Sequence, residues 1–123
     1  TASNANRILG FVNAPSLIQK VIGECIDAKV DVAYYDRNRQ ALYDMVTELG
    51  FQCIKPKGAF YLFMKSPMED DKAFVEIAKE HRVLMVSGGA FGLPGYVRLA
   101  YCVSYETILN AKGSFKKLAE ETL

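Results

Sequence analysis

Two apolar, strand-like runs constrain the fold of this chain more than any other feature. The first is Pro-Lys-Gly-Ala-Phe-Tyr-Leu-Phe at 56–63, and the second is Gly-Tyr-Val-Arg-Leu-Ala-Tyr at 95–101. Both are rich in the aromatic and aliphatic residues that sheets favour. Because every position over 59–64 is apolar or aromatic, we predict an interior strand there. The second run carries a single charged residue, Arg98, which is the main candidate for function.

Arg98 is predicted to bind a small organic acid. A guanidinium rarely lies in a buried strand unless an anion satisfies its donors, and a carboxylate matches its planar fork with two parallel hydrogen bonds. A lysine would attract the same carboxylate only as a point charge, without fixing its plane. The sequence leaves open a purely structural alternative, in which Arg98 lies on an edge strand or pairs with an internal acid such as Glu106.

The surrounding patterns predict a single α+β domain. Asp31 is placed to cap a long helix that Gly50 ends, and Ser104 is placed to cap the last helix. The expected order is helix, helix, strand, strand, helix, strand, strand, helix. This order indicates a two-layer sandwich, with a mostly antiparallel four-stranded sheet and helices on one face. The expected strands are 51–54, 59–64, 83–86 and 96–102.

Several polar residues are interpreted as parts of the solvated surface. Asn38 shares the charged face of the long helix, and Asp70 and Asp71 begin an exposed helix turn. His81, the only histidine, ends that helix and is not expected to take part in catalysis. The glycine-rich segment 87–92 lacks the spacings of phosphate-binding loops, so it is predicted to connect two strands.

Composition argues against several classes of protein. The 123 residues fit one domain, and a net charge of +1 provides no basic stripe for nucleic acid. No apolar run approaches the roughly twenty residues of a membrane helix, and no leader pattern opens the sequence, so we expect a soluble, cytoplasmic protein. We expect Cys25, Cys53 and Cys102 to be buried, reduced hydrophobes, and we predict no metal site.

Four segments together resemble the small C-terminal domain of class I/II aminotransferases, which are fold-type I pyridoxal-phosphate enzymes of the aspartate aminotransferase superfamily. Two are the runs at 56–63 and 95–101. The others are Val-Leu-Met-Val-Ser-Gly-Gly-Ala-Phe-Gly at 83–92 and Asn-Arg-Ile-Leu-Gly-Phe-Val-Asn-Ala-Pro at 6–15. Residues 1–5 contain Ser-Asn-Ala and are interpreted as the remnant of an expression tag. Residues 6–123 are expected to be a single small domain of a larger enzyme.

The resemblance implies that Arg98 binds the α-carboxylate of an amino acid, in a parent enzyme that exchanges an amino group between that amino acid and a 2-oxo acid. It also implies pyridoxal 5'-phosphate as cofactor, a large domain in the same parent chain and a homodimer. The catalytic lysine and the cofactor-binding groups are then expected upstream. We therefore assign no catalytic and no cofactor-binding residue to this chain, which alone should be inactive.

Two other functions remain open at this point. One is a lyase, decarboxylase or synthase built on the same pyridoxal-phosphate fold. The other is a non-catalytic α+β module that binds a small acid through Arg98.

Overall fold

The computed structural model describes residues 2–10 and 14–123. Residues 11–13, which belong to the opening motif at 6–15 and to the predicted approach to Pro15, lie outside the described part. The chain divides into two compact units, Thr1–Val30 and Asp31–Leu123.

The described residues of the first unit form two helices, α1 (Ala2–Ile8) and α2 (Ser16–Glu24). Pro15 immediately precedes α2 and has a φ of −56°. The fixed φ of proline and its missing N–H make it well suited to the start of a helix. The predicted helix start at Pro15 is therefore confirmed. Helix α1 was not predicted, since its short polar sequence has no apolar periodicity to indicate it.

In the second unit, helices cover one face of a small sheet. The long helix begins where Asp31 accepts a hydrogen bond from the backbone N–H of Tyr34 at 3.0 Å, and the chain leaves it at Gly50 with φ +97°. Both predicted ends are confirmed. The elements are α3 (Val32–Glu48), β1 (Tyr61–Lys65), α4 (Asp71–Glu80), β2 (Val86–Ser87), a 3₁₀ turn (Gly88–Phe91), β3 (Tyr96–Ala100), α5 (Tyr105–Asn110) and α6 (Lys112–Thr122).

The sheet has three strands among the described residues, in the order β1-β3-β2, and both pairs are antiparallel. The predicted fourth strand at 51–54 is wrong: only Cys53 forms an isolated bridge, opposite Met64. Pro56 follows closely and has no N–H to extend a ladder. The prediction that 59–64 is an interior strand is also wrong, because β3 occupies the centre and β1 lies beside it at the edge.

The hydrophobic core lies between the sheet and its helices. Val97 and Leu99 of β3 point into it and are buried, together with Val46 of α3, Phe74 of α4 and Leu118 of α6. The alternation of a strand directs Arg98, which lies between Val97 and Leu99, to the opposite face. Helices on one face of an antiparallel sheet are therefore confirmed, and the other face carries the candidate site.

Candidate functional site

Arg98 lies in the central strand and projects from the outer face of the sheet. Its strand neighbours are Phe63 on β1 and Val86 on β2. The residues before and after it, Val97 and Leu99, are buried in the core, so alternation along the strand turns Arg98 away from the helices. Arg98 is half-buried. The sequence correctly indicated a strand arginine but overestimated its burial.

Two aromatic rings flank the guanidinium of Arg98. Its central carbon lies 4.1 Å from the ring centroid of Tyr61 and 3.9 Å from that of Phe91. The rings are themselves 40% and 48% exposed, respectively. Cation–π contact attracts the charge through the ring faces and does not consume the N–H donors of the guanidinium.

No acidic side chain within the described residues forms an ion pair with Arg98. Glu106, the acid that the structural alternative proposed, is an exposed residue of α5. The hydrogen bonds donated by arginine side chains in the described part belong to Arg39. The guanidinium therefore presents charge and planar donors on the sheet surface, which is what a carboxylate needs for bidentate binding.

The loop that carries Phe91 is tightly built at its start. Ser87 Oγ accepts a hydrogen bond from the N–H of Gly89 at 3.3 Å, and Gly92 ends the turn with φ +74°. A Cβ on Gly88 would lie 2.3 Å from the carbonyl oxygen of Leu93 and 2.6 Å from that of Tyr96. Only glycine fits at position 88. The expectation that 87–92 connects two strands is confirmed.

Asp71 joins the two ends of this loop. Its Oδ1 accepts a hydrogen bond from Ser87 Oγ at 2.9 Å, and its Oδ2 accepts one from the N–H of Gly95 at 3.0 Å. Asp71 is buried, so the prediction of an exposed carboxylate is wrong for this residue. Asp70 caps α4 as an exposed residue, accepting from the N–H of Lys72 at 2.9 Å. A neighbouring pair of acids thus has one surface member and one member inside the fold.

Asn38 and Tyr101 support the strand ends beside the site. Asn38 was predicted on the solvated face of its helix, yet it is fully buried, and its amide nitrogen donates to the carbonyl oxygens of Tyr101 (3.1 Å) and Val103 (2.7 Å). The hydroxyl of Tyr101 donates to the carbonyl oxygen of Ala59 at 2.7 Å, just before β1. Burial is the main cause that raises the pKa of Tyr101, and the nearby Arg39 opposes it.

The remaining candidates have structural surroundings. His81 Nε2 lies 2.7 Å from a carboxylate oxygen of Glu121, at the end of α4. Cys25 and Cys102 are exposed and Cys53 is half-buried, so the prediction of three buried cysteines is wrong. Burial raises the pKa of the Cys53 thiol. In residues 2–10 and 14–123, no group of His, Cys, Asp and Glu could hold a metal ion.

The sequence identified Arg98 but not the residues that contact it or that fix the neighbouring loop. Phe91 belongs to the segment 83–92, yet nothing in the sequence indicated that its ring would lie on Arg98. Asp71 carried a usable signal, since it follows another acid that already serves as the helix cap. Helices long and apolar enough to cross a membrane are not found in the described part of the chain.

The chain thus combines a helix-backed antiparallel sheet with a half-buried arginine on the outer face of its central strand. Residues 3–114 match the model of the family described as aminotransferase class I and II. The chain belongs to that family. The match begins inside the segment 1–5, whose interpretation as a tag remnant stays a prediction.

Individual relatives agree with the family match. An aminotransferase of Eubacterium rectale is 45% identical, with a TM-score of 0.90 over 97% of this chain and 30% of that one. Aspartate aminotransferase of Thermus thermophilus, solved with maleate, is 33% identical, with a TM-score of 0.67 over 70% of this chain and 23% of that one. An aromatic-amino-acid aminotransferase of Thermococcus litoralis is 38% identical over 92 residues, or 71% of this chain. The chain spans about a quarter of the length of that relative.

Proposed function

We propose that residues 6–123 are the small C-terminal domain of a pyridoxal-phosphate-dependent aminotransferase, in which Arg98 binds the α-carboxylate of the substrate. The parent enzyme transfers an amino group between an amino acid and a 2-oxo acid. One observation carries the proposal: the guanidinium of Arg98 lies on the outer sheet face, flanked by Tyr61 and Phe91, with no acidic partner among the described residues.

The contribution of this chain to the reaction is binding and orientation. Two parallel hydrogen bonds from one guanidinium fix both the position and the plane of a carboxylate. Fixing that plane restricts rotation of the substrate about its carboxylate end, and correct orientation removes much of the entropic barrier of a reaction. The aromatic surroundings exclude part of the water that would otherwise compete for the carboxylate and weaken its attraction to Arg98.

The residues next to Arg98 fit a substrate carboxylate and not a phosphorylated cofactor. Tyr61, Phe63, Val86 and Phe91 supply rings and one aliphatic side chain, and we assign no cofactor-binding residue to this chain. When bound elsewhere in the parent enzyme, pyridoxal 5'-phosphate supplies the electron sink for the chemistry at the amino acid.

The parent enzyme is expected to be a cytoplasmic homodimer in which a large domain of the same chain completes the site. The chain covers less than a third of its aminotransferase relatives, which supports a further, larger domain in the parent enzyme. For the same reason we expect the chain alone to be inactive.

The test is an amino-transfer assay on the full-length protein. We expect product from an amino acid only when a 2-oxo acid is also present, because the amino group needs an acceptor. The 123-residue chain alone serves as the control and should form no product. Product formed equally well without a 2-oxo acid would indicate that the parent is a lyase or decarboxylase and not an aminotransferase. Binding of small acids by Arg98 with no reaction of any kind would favour the non-catalytic module.

A further inference from the structure

We propose that Tyr61 and Phe91 are positioning residues, which hold the guanidinium of Arg98 in place for the carboxylate, and that Asp71 keeps Phe91 there. This inference rests on the proposed carboxylate-binding role of Arg98. It assigns a task to two half-exposed rings and to one buried acid.

Arg98 needs such support because its side chain is long and is not fixed by an ion pair with any described residue. A free arginine samples many rotamers, and ordering it on binding weakens the affinity for its ligand. An acidic partner would order the side chain, but it would also compete with the substrate for the same donors. Aromatic rings attract the cation and leave the N–H groups available.

The two rings approach from different parts of the chain. Tyr61 begins β1 and belongs to the sheet itself, where its partner in the register is Ala100, two residues beyond Arg98. Phe91 comes from the loop between β2 and β3 and lies 3.9 Å from the guanidinium carbon. Its ring also packs edge-on against Phe63, with centroids 6.4 Å apart. The position of Phe91 therefore depends on how the loop is held.

Asp71 holds that loop at both ends. Its two carboxylate oxygens accept hydrogen bonds from Ser87 before the turn and from Gly95 after it. Because Asp71 is buried at the start of α4, these bonds are protected from competing water. The helix layer thereby fixes a loop whose far end contacts the candidate site on the other side of the sheet.

The experiment uses the full-length protein with its cofactor bound. Phe91→Leu and Tyr61→Leu remove each aromatic face while keeping apolar bulk, and Phe91→Tyr restores the face. Tyr105→Leu is the matched control, because Tyr105 stacks on a different arginine, Arg37, at the same 4.1 Å separation. We expect each Leu variant of the pair to raise the Kd for maleate and the KM for the amino acid roughly threefold to tenfold. Phe91→Tyr and Tyr105→Leu should stay close to the unaltered protein.

A second measurement separates positioning from general damage. If Phe91 acts through Arg98, Phe91→Leu should lower kcat/KM in the natural background and have little further effect beside Arg98→Ala. An equal loss in both backgrounds would mean that Phe91 only stabilises the fold, and would overturn the proposal. If Arg98→Lys alters maleate binding but the ring variants behave like Tyr105→Leu, the carboxylate site stands and the positioning role is wrong. If Arg98→Lys leaves maleate binding unchanged, the carboxylate site is wrong and the positioning role falls with it.

Discussion

Arg98→Lys in the full-length protein should raise the KM for the amino acid and the Kd for maleate roughly 10- to 100-fold. Lysine keeps the positive charge but loses the planar pair of donors, and its compact ammonium is more strongly hydrated. It also stacks less well between Tyr61 and Phe91, which flank the guanidinium at 4.1 and 3.9 Å. The effect should therefore fall on both the position and the plane of the carboxylate.

The absorption spectrum of the bound cofactor provides an internal control, because no residue of this chain is assigned to hold it. We expect that spectrum to be the same in Arg98→Lys as in the unaltered protein. An unchanged KM would be incompatible with carboxylate binding at Arg98. A spectrum altered as strongly as the KM would show that Arg98 contacts the cofactor instead.

Gly88→Ala should destabilise the fold by about 3 kcal/mol or more, the upper end of what overpacking usually costs. Its Cβ would lie 2.3 Å from the carbonyl oxygen of Leu93 and 2.6 Å from that of Tyr96, and both contacts are with backbone. A flexible side chain could turn away, but here the loop or β3 itself has to shift. Since the same loop carries Phe91, Arg98 should lose part of its support as well. The measurement is the urea unfolding curve of the 123-residue chain, monitored by far-UV circular dichroism.

Gly89→Ala is the matched control, one residue along the same turn. Its Cβ would meet only Ser87 Oγ, at an ordinary 3.5 Å. Because alanine restricts the unfolded chain more than glycine does, this variant should be neutral or stabilised by up to about 1 kcal/mol. Equal unfolding midpoints for the two alanine variants would contradict the close packing of Gly88.

Features of the fold that depend on neighbouring residues could be predicted from the sequence. Asp31 and Gly50 lie at the two ends of α3 as expected, because a helix cap and a left-handed glycine depend only on residues nearby in the sequence. The prediction of a strand at 51–54 was wrong because Pro56 ends the pairing almost at once. A largely apolar run was therefore taken for a hydrogen-bonded strand. The apolar outer face of β1 was read as burial inside the sheet, whereas it forms the surface around Arg98.

The candidate site divides in the same way. Arg98 could be predicted, because a lone charge in an apolar strand is unusual in any context. The hydrogen-bond partners of Asp71 and Asn38 could not be predicted, because they lie 16 to 65 residues away along the chain. The contact between Phe91 and Arg98 likewise depends on the path of a loop, which no periodicity describes. The burial of a polar side chain depends on tertiary contacts. A helical pattern alone therefore assigns such a side chain to the surface.

The central claim is that Arg98 binds a carboxylate of the substrate, and a coupling measurement tests it most directly. In the full-length protein, kcat/KM is compared for an amino acid and for its amide, each with Arg98 present and with Arg98→Ala. We predict that replacing the carboxylate by an amide lowers kcat/KM roughly 100-fold in the natural protein but less than about threefold in Arg98→Ala. A loss of similar size in both proteins would contradict the assignment, because it would mean that the carboxylate is recognised by some other group.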